Sequence, residues 1–277
     1  MTSFGERLRQ AVTAHGRLCV GIDPHASLLA DWGLSDDPRG VETFADAVIA
    51  AATNRVAALK PQVAFFERHG SAGLAVLERV IRRAREAGIL VIADAKRGDI
   101  GSTLDGYAEA WLEQTSPLAS DAMTVSAFQG VGSLAPAVER AARNGAGLFV
   151  LAATSNPESA RVQTARDAEG RTVSALIADD VAGLGRDDAA RGSWSSFGLV
   201  VGATVPLAAA GLDPAALPAV PVLAPGFGHQ GARLGELDAH YGPLSPRTLA
   251  SVSRSVLATG PDGLAAAIDR HRAELSA

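Results

Sequence analysis

An eight-stranded parallel α/β barrel is the fold class that this sequence of 277 residues predicts. Short β-like runs alternate with Ala-rich amphipathic segments along the whole length. Eight such strand–helix units in roughly 250 residues suit a (β/α)8, or TIM, barrel better than an open sheet. Helix-stopping glycines, Gly88 and Gly145, stand just before the next apolar run.

In chain order the candidate strands are LCVGI (18–22), VAALK (56–60), ILVIA (89–93), AMTVSA (122–127), GLFVLAA (147–153), FGLVVGA (197–203), VPVLA (220–224) and VSRSVL (252–257). The helical patterns between them include TFADAVIAAATNR, SAGLAVLERVIRRAREAG, TLDGYAEAWLEQ and LAPAVERAARNG. Pro61 cannot donate to a ladder, so the second strand is expected to end at Lys60. Asp94 and Lys96 lie two apart after ILVIA and are expected to share one face. Gly98 is expected to turn the chain sharply before Asp99. The stretch 159–196 is polar, Gly- and Asp-rich, and reads as an insertion within a single domain spanning 1–277. No Pro/Ser linker, low-complexity tract or short repeat divides the sequence.

Composition narrows the function. A net charge of -5 gives no sign of a nucleic-acid surface, which needs clustered positive charge. The basic run ERVIRRAREAG is interleaved with Glu78 and Glu86 and reads as a solvated helix face. No apolar run approaches the ~20 residues of a membrane span, and MTSFGERLRQAV lacks the apolar core of a signal peptide. The one cysteine, Cys19, sits in an apolar run and reads as packing. The expectation is a soluble, cytoplasmic protein.

In a barrel, chemistry belongs at the carboxyl ends of the strands. Of 25 basic residues 23 are arginine, and the two lysines, Lys60 and Lys96, both fall at predicted strand ends. Arginine stays protonated, whereas lysine is a compact ammonium whose pKa shifts and which hands over a proton. Against an arginine-rich background, a retained lysine marks a position that arginine cannot fill.

The segment DAKRGDIGST (94–103) resembles the D-x-K-x-x-D signature of the orotidine 5'-phosphate decarboxylase family. The resemblance extends to CVGIDPH (19–25), LKPQVAFFE (59–67), ATSNPES (153–159) and LAPGFGHQGA (223–232), and looks closest to the longer bacterial subgroup. It implies decarboxylation of orotidine 5'-monophosphate to uridine 5'-monophosphate by a charge network of Lys60, Asp94, Lys96 and Asp99, with Lys96 as proton donor. It further implies a homodimer with shared active sites, in which Asp99 reaches the neighbouring subunit's site with Ile100 and Thr103 beside it. Asp23 matches the aspartate that binds ribose hydroxyls; on local sequence alone it reads equally as an Asp-Pro turn. Thr154 and Ser155 match the pyrimidine-binding region. Gln62 stands where many relatives carry asparagine.

The loop APGFGHQG, beginning around Gly226, permits close backbone approach to a phosphate. Gln230 and Arg254 match the family's phosphate contacts, and a guanidinium fork suits phosphate oxygens. Ser253 stands where relatives often have glycine, and His229 interrupts the glycine-rich loop as a loop variant. No cysteine or histidine cluster has metal-ligand spacing and no dinucleotide fingerprint occurs, so neither a metal nor a cofactor is expected. Two rival readings remain. One is a metal-dependent sugar-phosphate enzyme of the same suprafamily, although those generally carry glutamate where this chain has Lys60, whose charge would repel a metal. The other is a non-catalytic nucleotide-binding barrel, whose mark would be a broken tetrad.

Overall fold

Eight parallel strands close into a barrel in the order β1 to β8, with β8 pairing back onto β1. They are β1 (Leu18–Ile22), β2 (Ala58–Pro61), β3 (Leu90–Arg97), β4 (Ala122–Val125), β5 (Gly147–Ala153), β6 (Phe197–Val201), β7 (Val222–Pro225) and β8 (Thr248–Val252). This computed structural model describes residues 2–228 and 230–276. The expected fold class is therefore the one observed. No helix is long and apolar enough, among the described residues, to cross a membrane.

The barrel has two apolar layers. The larger lies between the strands and the helices outside them, such as Pro38–Ala52, Gly70–Glu86 and Ala135–Asn144. The smaller fills the interior with Cys19, Ala58, Ile92, Ala122, Phe149, Val200, Leu223 and Leu249. It is sealed at the amino ends of the strands by Phe4 and Leu8 of the Phe4–His15 helix, both fully buried. The Phe4 ring meets Phe149 edge-on at 6.0 Å between centroids. Gly147 makes room, since a Cβ there would lie 2.2 Å from the Phe4 ring.

Period two along each strand then positions the site. Two residues above the interior residues Ala58, Ile92, Ala122 and Leu249 stand Lys60, Asp94, Thr124 and Ser251. On these four strands the lower interior layer is apolar and the upper one polar.

Four local expectations need correction. The last strand is Thr248–Val252, and VSRSVL is mostly helical, with a turn at Arg254–Leu257. The alternation in VSRSVL imitates a strand. A parallel strand covered on both sides is instead the continuous buried run TLASV, which pairs with β7 and β1. Second, β2 extends one residue further, to Pro61, because Gln62 supplies the next N–H, to the Ile22 carbonyl at 3.1 Å.

Third, Lys96, not Gly98, takes the left-handed conformation at the end of β3, with φ +49°. Gly98 is needed for space: a Cβ there would lie 2.4 Å from the Ser126 carbonyl oxygen. Fourth, strand alternation does not by itself bring Asp94 and Lys96 together, because the β3–β4 register shifts between Ala93 and Arg97. The stretch 159–196 supplies the crossover from β5 to β6. Its helix Val173–Leu184 follows an antiparallel bridge, Arg166 to Thr172, and is capped by the Thr172 hydroxyl.

Candidate active site

At the carboxyl ends of the strands lies a cavity with about 960 Å³ of empty space, counting the solvent at its open mouth. One end is built around Asp94. Its Oδ2 accepts from Lys60 Nζ at 2.8 Å and Gln62 Nε2 at 2.9 Å. Its Oδ1 accepts from the Thr124 hydroxyl at 2.9 Å and lies 2.6 Å from Lys96 Nζ. Lys60 and Asp94 are buried, while the Lys96 side chain is 45% exposed to the cavity mouth. Gln62 also accepts from Lys96 Nζ at 3.3 Å, so its carboxamide bridges the ion pair.

Charge on both buried partners is self-consistent. Burial alone would raise the Asp94 pKa, but the ammonium groups of Lys60 and Lys96 outweigh it and hold the carboxyl far below its ordinary range. Burial likewise works against the Lys60 ammonium, and Asp94 and Asp23 outweigh it, raising that pKa. Cys19, below them in the barrel, is the opposite case: burial pushes its thiol up to about 12.

The other end of the cavity is lined by Asp23, His25, Gly226, Gln230, Ser253 and Arg254. Gly226 has φ +117°, a conformation that a side chain would strain, and it turns β7 into the loop carrying Gln230. The Ser155 hydroxyl donates to Gln230 Oε1 at 3.1 Å, tying the loop after β5 to the loop after β7. Asp23 Oδ1 and Ser253 Oγ are buried and take no hydrogen bond from any described residue. Both residues line the cavity, and a buried polar atom without a partner calls for an explanation, of which a polar ligand is one. His25 stacks on Phe65 at 4.2 Å, and burial lowers its pKa despite the nearby Asp23. Between the two ends, Leu151, Val200, Leu223 and Pro225 form an apolar wall.

Thr154 lines the cavity, but its N–H donates to Gln163 Oε1 at 2.8 Å and its hydroxyl accepts from Gln163 Nε2 at 2.9 Å. The remaining expected residues stand apart. Asp99, Ile100 and Thr103 do not line their own chain's cavity. Asp99 Oδ1 accepts from the Ile100 N–H at 2.8 Å, and the Ile100 side chain is 60% exposed. His229 lies outside the described residues. Thr124 and His25 belong to the site without having been singled out. A threonine inside the apolar run AMTVSA reads as an ordinary strand residue until the strand's inward parity is known.

The whole chain has full-length relatives. A sequence profile described as the orotidine 5'-phosphate decarboxylase / HUMPS family matches residues 16–267. The orotidine 5'-phosphate decarboxylase of Salinispora arenicola is 54% identical over 279 residues, covering 100% of this chain and 98% of the relative. The chain belongs to the orotidine 5'-phosphate decarboxylase family. The decarboxylase of Streptomyces coelicolor is 51% identical over 278 residues, covering 99% of this chain and 98% of its own. A crystal structure from Streptomyces avermitilis, described as a putative orotidine 5'-phosphate decarboxylase, superposes with a TM-score of 0.93 at 51% identity. It covers 100% of this chain and 95% of that one. The chain carries the lysine pair and the aspartate between them in one connected network, at the polar upper layer of its barrel.

Proposed function

We propose that Lys60, Asp94 and Lys96, completed by Asp99 from a second copy of the chain, carry out the decarboxylation of orotidine 5'-monophosphate to uridine 5'-monophosphate. One observation carries this reading: a single carboxylate, Asp94, holds two ammonium groups, one buried and one facing the cavity.

Loss of carbon dioxide breaks the bond from C6 to the carboxylate and leaves the electron pair on C6. That orbital is poorly delocalised, so preorganised charge must stabilise it. Lys96 lies against C6, stabilises the developing carbanion and transfers one Nζ proton to it; solvent then restores the ammonium. Asp94 aims Lys96 and faces the departing carboxylate. Two like charges about 4 Å apart repel by roughly 4 kcal/mol at an effective dielectric of 20. Lys60 keeps Asp94 ionised, so that this repulsion is present when the substrate binds.

At the other end, Gln230, Arg254 and the backbone around Gly226 hold the phosphate. Asp23 and Ser253 meet the sugar, with Gln62 between sugar and network, and Thr154 and Ser155 meet the pyrimidine edge. Phosphate contacts are remote from C6 but position it, so their binding energy lowers the barrier. Ile100 and Thr103 accompany Asp99 into the partner's site. The exposure of Ile100, and of Phe128 at 86%, supports a pairing surface on that face. Ser126 at the start of the Phe128 loop donates to the Arg97 carbonyl, which joins the loops after β3 and β4.

The experiment is loss of orotidine 5'-monophosphate absorbance on adding the purified protein, with and without excess EDTA. Equal conversion in both is the expected result. Loss of activity in EDTA would point to a metal-using relative, and no conversion with tight uridine 5'-monophosphate binding to a nucleotide-binding barrel.

A further inference from the structure

Lys96 and Asn54 are the two non-glycine residues with positive φ among the described residues, and Lys96 has φ +49°. A left-handed lysine is strained, and such strain persists only where the surroundings hold it. The strand pairing explains how it arises. Ala93 pairs with Met123 and Arg97 with Val125, so three residues of β3 face the single residue Thr124 of β4. The Lys96 N–H therefore has no ladder carbonyl opposite it.

The Thr124 side chain takes the carbonyl's place. Its Oγ1 accepts from the Lys96 N–H at 2.9 Å and lies 2.9 Å from Asp94 Oδ1. A threonine hydroxyl has one proton. Since it accepts from the amide, and the carboxylate has no proton to give, that proton must point at Asp94. Asp94 Oδ1 is in turn the oxygen 2.6 Å from Lys96 Nζ. A ring thus closes: Lys96 amide, Thr124 hydroxyl, Asp94 carboxylate, Lys96 ammonium. Thr124 is 1% exposed, so water does not substitute for it.

We infer that Thr124 is a positioning residue for the decarboxylation: its hydroxyl clamps both ends of Lys96 and fixes where the ammonium points. The inference rests on the reading of Lys96 as proton donor and adds to it a residue that never touches C6. It predicts a specific pattern of kinetics. Thr124 is not among the residues that line the cavity, where Asp23, Gln230 and Arg254 stand, so removing its hydroxyl costs turnover and not nucleotide affinity.

The test is steady-state kinetics of orotidine 5'-monophosphate decarboxylation with Thr124→Val, Thr124→Ala and Thr124→Ser, together with uridine 5'-monophosphate affinity and Tm. Valine keeps the shape and β-branching and removes the hydroxyl; alanine does so by deletion and serves if the valine variant fails to fold. Expected are a 10- to 100-fold fall in kcat for Thr124→Val and Thr124→Ala, product affinity within threefold of the parent, and recovery to within about fivefold in Thr124→Ser. A hydroxyl-free variant with parental kcat would overturn the inference. So would a serine variant as slow as the valine one, because the hydroxyl would then be irrelevant. Lys96→Ala in the same assay separates the two levels: if it is inactive while Thr124→Val is unimpaired, the proton-donor reading stands and only the clamp falls.

Discussion

At the scale of single residues, Asp94 organises everything at the reacting end of the cavity, and its charge state can be followed by pH. Its pKa is lowered in the folded state, so the stability it contributes is fully present above the ordinary carboxylate range, about pH 4. That stability is lost as pH falls below this range. The Lys60 pKa is raised, so its contribution is fully present below about pH 10 and is lost as pH climbs through the raised value. Asp94 and Lys60 are therefore both ionised across the neutral range. Asp94→Asn leaves the buried Lys60 ammonium without its counter-charge, a change of the kind that costs about 3–5 kcal/mol. The gap in Tm between parent and Asp94→Asn should narrow below about pH 4, where the parent's carboxylate gains a proton, and again in alkali as the variant's Lys60 loses one, by thermal melts across pH. A gap that closed between pH 6 and pH 8 would show a network member titrating there.

At the scale of elements, the Phe4–His15 helix and the strands divide stability from chemistry. Phe4 and Leu8 plug the amino end of the barrel, on the opposite side of the apolar interior layer from Asp94. Phe4→Ala removes a fully buried ring, which costs about 3–5 kcal/mol, at a residue that does not itself line the cavity. The expected outcome is a clearly lower Tm with kcat per folded molecule near that of the parent; a matching loss of kcat would mean that the two ends are coupled. The elements also show what could be read ahead of the structure. β1 and β5 coincide with LCVGI and GLFVLAA because continuous apolar runs bounded by turn residues are legible in sequence. β8 is not, because VSRSVL alternates by accident of composition while the true strand TLASV carries two hydroxyls. Lys60, Asp94 and Lys96 are visible as rare or charged residues at strand ends. Thr124 is hidden because its role depends on a register shift between two strands, a relation that no single strand's sequence contains.

At the scale of the whole molecule, one chain holds only part of the proposed machinery. Lys60, Asp94 and Lys96 line its cavity, whereas Asp99 sits outside it, beside the exposed Ile100. If two copies exchange Asp99, the sites of a dimer are mixed by construction, and a closed twofold pairing gives two equivalent ones. Lys96→Ala and Asp99→Ala should then each be inactive as pure proteins, for different reasons and in different halves of the site. In a dimer of one copy of each, one site receives Lys96 from the Asp99→Ala chain and Asp99 from the Lys96→Ala chain, and is intact. Its sister site carries both lesions. Random reassociation of equal amounts makes about half of the dimers mixed, each with one working site of two, so activity should return to about a quarter of the parental value. The measurement is decarboxylation after the two variants are mixed, dissociated and reassociated. Recovery near that value requires Asp99 to act across the interface; no recovery, with mixed dimers demonstrably present, would confine each site to a single chain.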